Sequence, residues 1–390
     1  MKAKFIQIHT LTAYAGVLLN RDEAGMAKRL PYGGAMRLRI SSQCKKRHMR
    51  TADDDRSIAN LAREIGQQGV RSRIAIEELV IAPLSGKASD EILGVIGAGI
   101  AGKLYGAKGA TDVKSRQVLL LGNAEIEWLK SEAQAIALTS ADKEDAAKRI
   151  AEWAKDETKT LAQLAEGSAL TAGLEAALWG RMVTSDKAAN TDAAVAVNHS
   201  YTVHGEQSEL DYFTAVDDLT PSAGGIFDQE ITSGLFYGHM VLDIPQLVAN
   251  TTGIYRTEWD GDIDREIAAR VAENLVHLAA KVTPGSKKGS TAPFSPASLV
   301  IVEMHDQQPM TFDAAFLDPL DLIDRKDGMP LGRRAANAIS DAITGYDSMY
   351  GKGRARIQAA MPGFAIPDIE KSTLDDIGKK VAEAVRSTSV

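Results

Sequence analysis

The two ends of this chain alternate like strands, whereas the residues from about 55 to 180 repeat like helices, and that division constrains the fold more than any other feature. At residues 4–14, KFIQIHTLTAY sets Ile6 and Ile8 against Gln7 and His9, a half-buried strand pattern. Further on, MRLRIS sets Met36, Leu38 and Ile40 against Arg37, Arg39 and Ser41, so two arginines are expected on the open face of a strand. Ser41 and Ser42 are good helix caps, and QCKKRHMRTA after them lacks Gly and Pro, so this strand should run straight into a helix. The stretch 55–180 is rich in Ala, Leu and Glu, clearest in EDAAKRIAEWAKDETKTLAQLAEG, and reads as a helical insertion. Strands return between 191 and 245 as AAVAVNHSYTVH and ITSGLFYGHMVLDI. The polar loop between them holds Asp217, Asp218, Pro221, Gly224 and Gly225, which makes an elongated hairpin. Beyond it, Ile263, Ile267, Val271, Leu275, Leu278 and Val282 form one stripe of a helix that Asp262 could cap. SLVIVEMHD then reads as a buried strand, and the tail from Ser372 as a short, charged, peripheral helix. Together these elements predict an α+β core of the split βαβ, ferredoxin-like type.

Composition narrows the class. In 390 residues, 44% hydrophobic and 25% charged side chains describe a globular chain with room for two domains, or one domain with a large insertion. The longest apolar run, residues 92–102, falls well short of the roughly 20 residues needed to span a bilayer. One cysteine, Cys44, allows no internal disulfide, and Gln7, His9, Thr10 and Thr12 interrupt any secretion-type apolar core, so a cytoplasmic location is expected. A net charge of −7 disfavours a generic nucleic-acid binder. Residues 1–50, however, carry 11 Lys and Arg against only Asp22 and Glu23, so the chain has a locally basic end.

Few motifs carry chemistry. Gly97-Ala98-Gly99-Ile100-Ala101-Gly102 is a literal GxGxxG, and the stretch through Lys103 fits GxxxxGK except that Leu104 replaces the hydroxyl residue. Both motifs must open an uninterrupted helix, yet Gly106 and Gly109 follow closely, and small residues at a close helix crossing or a loose loop explain the run equally well. The seven histidines show no metal-ligand spacing, GxSxG is absent, and Asp53-Asp54-Asp55 reads as a solvated acidic stretch. The anion signal is stronger. Between Arg37 and Arg50 lie six basic residues and no acid. Lys46 and Arg50 share a helical face flanked by Arg47, and the Ser41 and Ser42 hydroxyls with the first-turn amides could hold a phosphate. An ordinary basic helix with its stems laid over apolar surface is the plainer alternative.

Asn20-Arg21-Asp22, Gly33-Gly34 and RLRISSQCKKRHMR resemble the CasC family, the guide-RNA-binding backbone subunits of type I-E CRISPR Cascade. The resemblance continues in order through the residues GRMVTS at 180–185, LDYFTAVDDL at 210–219, TSGLFY at 232–237 and TPGSKKGSTAPFSPASLV at 283–300. It implies an RRM-like palm at 1–54 and 181–390, a β-hairpin thumb at about 203–231, and a helical fingers insertion at 55–180. Copies would stack along the crRNA, hold its phosphates and display its bases to a target DNA strand. Expected partners are further copies in a helical filament and the large, small, guide-end-capping and crRNA-processing endoribonuclease subunits, with no membrane, cofactor, metal or catalysis. By position, Asn20, Arg21, Lys28, Ser41, Gln43, Lys46, Arg47 and Arg50 would lie on the guide backbone, joined by Arg37, Arg39 and Ser42 of the same strand and helix. Met182, Tyr212, Phe213, Thr214 and Val216 would form the thumb wedge, unless Phe213 and Val216 instead fill a small core under the hairpin. Tyr212 and Cys44 stand where relatives have Trp and Ser. In the fingers, Lys143, Lys148, Arg149 and Lys155 alternate with Glu144, Asp145, Glu152 and Asp156, which weakens a duplex-guiding role. Two other classes stay open: an RNase using Asp22, which otherwise orients Arg21, and a nucleotide-binding enzyme using residues 97–102.

Overall fold

The computed structural model describes residues 2–165, 169–219, 223–323 and 328–387. In chain order the elements begin with β1 (Phe5–Val17), β2 (Arg29–Tyr32), β3 (Ala35–Ile40) and α1 (Ser42–Arg50). Next come α2 (Ile58–Glu64), β4 (Gly69–Ser72), α3 (Asp90–Thr111), β5 (Leu119–Gly122), α4 (Asn123–Thr139), α5 (Lys143–Lys155), α6 (Leu161–Ala165) and α7 (Leu174–Trp179). Strands resume with β6 (Val195–Val197), β7 (Ser200–Thr202), β8 (Ser208–Val216) and β9 (Ala223–Asp243). The chain ends with α8 (Ile244–Thr252), α9 (Glu266–Lys281), α10 (Lys288–Thr291), β10 (Leu299–His305), α11 (Leu331–Tyr350), β11 (Ala355–Ala360), β12 (Glu370–Lys371) and α12 (Leu374–Arg386).

Two compact units share these elements: residues 1–57, 196–243 and 269–390 form one, and 58–195 with 244–268 form the other. The boundary therefore falls at 195 rather than 180, and a segment after the hairpin joins the second unit. The first unit is built on one sheet, ordered β12-β11-β10-β1-β9-β7-β3-β2, with β6 and β8 also paired to β9. Every pair along that order is antiparallel except β11 with β12. The central strands are covered on both faces, so Gln7 and His9, which the alternation alone would leave open, are buried. They are satisfied internally. Gln7 donates to Glu303 at 2.8 Å, and Glu303 also meets His9 at 3.2 Å and the Arg356 Nε at 2.6 Å. Burial pushes the Glu303 carboxyl up, but the hydrogen bonds and charges of His9 and Arg356 outweigh it and hold it down at about 2. On the same unit, Leu11, Tyr237, Ile301, Phe312, Phe316 and Ile339 form one continuous apolar cluster.

Helix α9 begins later than its stripe implies, and the Glu266 amide bonds Asp264 at 2.9 Å where Asp262 was expected to cap. Helix α12 is amphipathic rather than merely peripheral, burying Ile377, Val381 and Val385. The hairpin loop residues Thr220, Pro221 and Ser222 lie outside the described residues.

In the second unit two short strands, β4 and β5, pair among the helices. The GxGxxG run lies inside α3, not at the start of a helix after a strand, so its amides are consumed by the helix and cannot cradle a phosphate. Its glycines serve packing instead. A Cβ on Gly99 would come 2.3 Å from the Ile150 Cγ1 of α5, so that crossing needs glycine, and Gly106 kinks the helix with a φ of +79°. Among the described residues no helix is long and apolar enough to cross a membrane.

Candidate nucleic-acid interface

The basic segment is organised by the turn from β3 into α1. Ser41, extended at φ −68° and ψ 149°, caps the helix by accepting the Cys44 amide at 3.2 Å. The Ser41 amide donates to Asn20 Oδ1 at 2.9 Å, and the Ser42 amide to His199 Nδ1 at 2.9 Å. Burial lowers the His199 pKa, which favours the neutral ring that can accept this bond. Thus Asn20, Ser41 and Ser42 build the helix start, and the Ser42 and Cys44 amides, expected to face a phosphate, are already engaged. His199 was missed in the sequence; a lone histidine between two strands gives no periodic signal.

The cations divide into two groups. Arg37 was expected on an open strand face, but it is fully buried and donates to the carbonyls of Tyr32 at 3.2 Å, Thr202 at 2.8 Å and Phe316 at 2.9 Å. It is a structural bolt, and Met36, assigned to the inner face, is the exposed residue instead. The physical reason is that β3 lies second from the sheet edge, where a guanidinium can satisfy the carbonyls at the ends of β2 and β7 and at Phe316. Lys45 also turns inward. Its ammonium donates to Ser200 Oγ at 2.8 Å beside a cavity of about 30 Å³, and burial pushes its pKa down to about 8. Arg29 bridges Glu206 and Glu230.

The remaining cations lie at or near the surface. Arg21, Gln43 and Arg47 are exposed, and Lys28, Arg39, Lys46 and Arg50 are half-buried. The loop and helix charges converge, since Lys28 and Arg47 both act on the thiol of Cys44, whose pKa burial raises. Arg39 is partly tied down by its Nε bond to the Arg29 carbonyl at 3.2 Å. Asp22 caps its own turn, accepting the Ala24 and Met26 amides at 3.0 Å each, rather than orienting Arg21. Among the described residues no group of three or more His, Cys, Asp or Glu could hold a metal ion.

Strand β8 pairs with the first half of β9 to make a two-stranded hairpin, and every residue of β8 is exposed. Leu210, Tyr212 and Thr214 share one face, Phe213 the other, and Phe213 stacks on its cross-strand partner Phe227 with ring centroids 5.5 Å apart. Tyr212 is 71%, Phe213 44% and Val216 75% exposed, so Phe213 and Val216 fill no core. Ile226, Phe227 and Leu219 add exposed apolar surface that the sequence reading did not single out, although they flank the same turn. Met182 is likewise exposed but belongs to the second unit. Its neighbour Arg181 is buried against Glu125 at 2.6 Å and the Ala189 carbonyl.

A largely antiparallel sheet that carries a basic helix after one inner strand and continues another strand into a solvent-exposed apolar hairpin defines a distinct class of α+β protein. The family model described as CT1975-like protein matches residues 6–385, and the chain belongs to that family, the CasC type. Solved chains share the fold. One, from a CRISPR RNA-guided surveillance complex described as pre-nicking, superposes with a TM-score of 0.74 at 23% identity, covering 97% of this chain and all of that one. Another, from a CRISPR RNA-guided surveillance complex, gives a TM-score of 0.65 at 21% identity, covering 97% and 99%. None of the curated proteins matches.

Proposed function

We propose that this protein is the crRNA-binding backbone subunit of a type I-E Cascade, a non-catalytic scaffold in the cytoplasm that stacks in copies along the guide RNA. The observation that carries this reading is the pairing, within one compact unit, of surface cations on α1 and its preceding loop with a hairpin whose apolar side chains on β8 are exposed. Cations neutralise successive phosphates without regard to sequence, and an apolar wedge displaces a base without regard to its identity. That leaves sequence recognition to pairing between guide and target DNA strand, with the large, small, guide-end-capping and processing subunits as further partners. The strand order β10-β1-β9-β7, with α1 and α9 in its two crossovers, supports an RRM-like palm carrying a thumb. In the same reading the second unit supplies the fingers.

The test is binding of a synthetic guide RNA over a salt series. Log affinity should fall linearly with log salt, by about 0.7 per phosphate neutralised. Lys46→Glu with Arg50→Glu should reduce that slope by about 1.4 and abolish multimer formation while the monomer stays folded. Labelled RNA held with magnesium should remain intact. An unchanged slope in the double variant, or cleavage lost in Asp22→Ala, would overturn the reading.

A further inference from the structure

The hairpin of β8 and β9 lacks a core of its own, so something else must fix its direction. Adjacent β9 residues at its root point to opposite faces, and each is gripped by a different part of the first unit. On one face Glu230 is buried, bonded to Arg29 and accepting the Ala27 amide at 2.5 Å. On the other face Gln229 Oε1 accepts from Lys287 Nζ at 2.5 Å, and the same ammonium lies 5.9 Å from the ring centroid of Phe213. Lys287 is itself held. The amide of Ser286 donates to the Leu18 carbonyl at 3.0 Å, and the Lys287 carbonyl accepts the Thr291 amide at 3.2 Å.

We propose that Lys287 is a positioning residue, which sets the angle of the hairpin and the orientation of Phe213 through Gln229 and does not itself contact RNA phosphate. The consequence for RNA rests on the guide-binding reading above; the clamp itself does not. A two-stranded ribbon is marginal alone, and its twist leaves it free to pivot about its root. The Arg29 bridge restrains one face, so without Lys287 the ribbon can tilt toward the other.

Hydrogen exchange of the RNA-free full chain tests the clamp directly. Lys287→Ala and Gln229→Ala should each speed exchange of the β8 amides about tenfold, the opening expected when one charge-assisted hydrogen bond is lost, and the double variant should add little more. Lys287→Arg should restore protection, because it keeps both the donor and the cation over the ring. On guide RNA, both alanine variants should blur the periodic nucleotide footprint and leave the salt slope unchanged. Unchanged exchange in either alanine variant would overturn the proposal. So would a salt slope shallower by about 0.7 in Lys287→Ala alone, which would make the lysine a phosphate contact. If the unaltered protein shows no RNA binding, the guide-binding reading fails while the exchange result still judges the clamp.

Discussion

The turn from β3 into α1 and the hairpin of β8 and β9 depart in opposite directions from the rule that apolar side chains go in and charges go out. In the first, Arg37 is fully buried and Lys45 turns inward, while Met36 faces solvent; in the second, Tyr212, Phe213 and Val216 stand in water. The difference is one of satisfaction. Arg37 has three carbonyl acceptors waiting, so its burial completes the core. Tyr212, Phe213 and Val216 have no such complement and stay exposed, the surface that the proposed function assigns to the guide RNA.

The largest effect is expected at Arg37. Arg37→Met should destabilise the free protein by about 3 to 5 kcal/mol, because it leaves three carbonyls, two of them buried, without their donor. Urea denaturation measures this. An unchanged midpoint with weakened RNA binding would return Arg37 to the open face and erase the contrast.

A smaller effect of the opposite kind is expected at Phe213. Phe213→Ala should change monomer stability by no more than about 0.5 kcal/mol, as at other exposed positions, but weaken RNA binding by about 1 to 3 kcal/mol for each stacked base. Thermal melting beside RNA titration separates the two, and a large loss of monomer stability would make the hairpin part of the core.

Burial of Lys45 makes stability depend on pH. Its folded pKa, about 8, lies below the unfolded value of about 10.4, so the unfolded chain binds more protons across that window. Stability contributed at this site should therefore rise from pH 8 toward 10, with the burial penalty fully present below pH 8. Lys45→Met should remove that rise and stabilise the protein near pH 7 by about 1 to 3 kcal/mol, allowing for its partial exposure. Chemical denaturation at pH 7 and pH 10 checks both; an equal gain at the two pH values would show that the lysine never carried the penalty.

Local pattern by itself determined the strand-to-helix junction capped by Ser41, the helical character of the insertion, the long hairpin and the buried strand β10. Each of these depends on neighbours a few residues apart, where periodicity and capping chemistry act. Tertiary structure decided which cations reach the surface. Arg37 and Arg39 alternate identically along β3, and Lys45 and Lys46 are adjacent on α1, yet Arg37 and Lys45 serve the interior while Arg39 and Lys46 remain partly accessible. The partners that draw Arg37 and Lys45 inward, Thr202, Phe316 and Ser200, lie more than 150 residues away along the chain. The GxGxxG run is likewise decided outside its own pattern, since Gly99 is explained by Ile150 on a facing helix. A donor's destination depends on which distant acceptor the fold brings within 3 Å, and no local spacing encodes that.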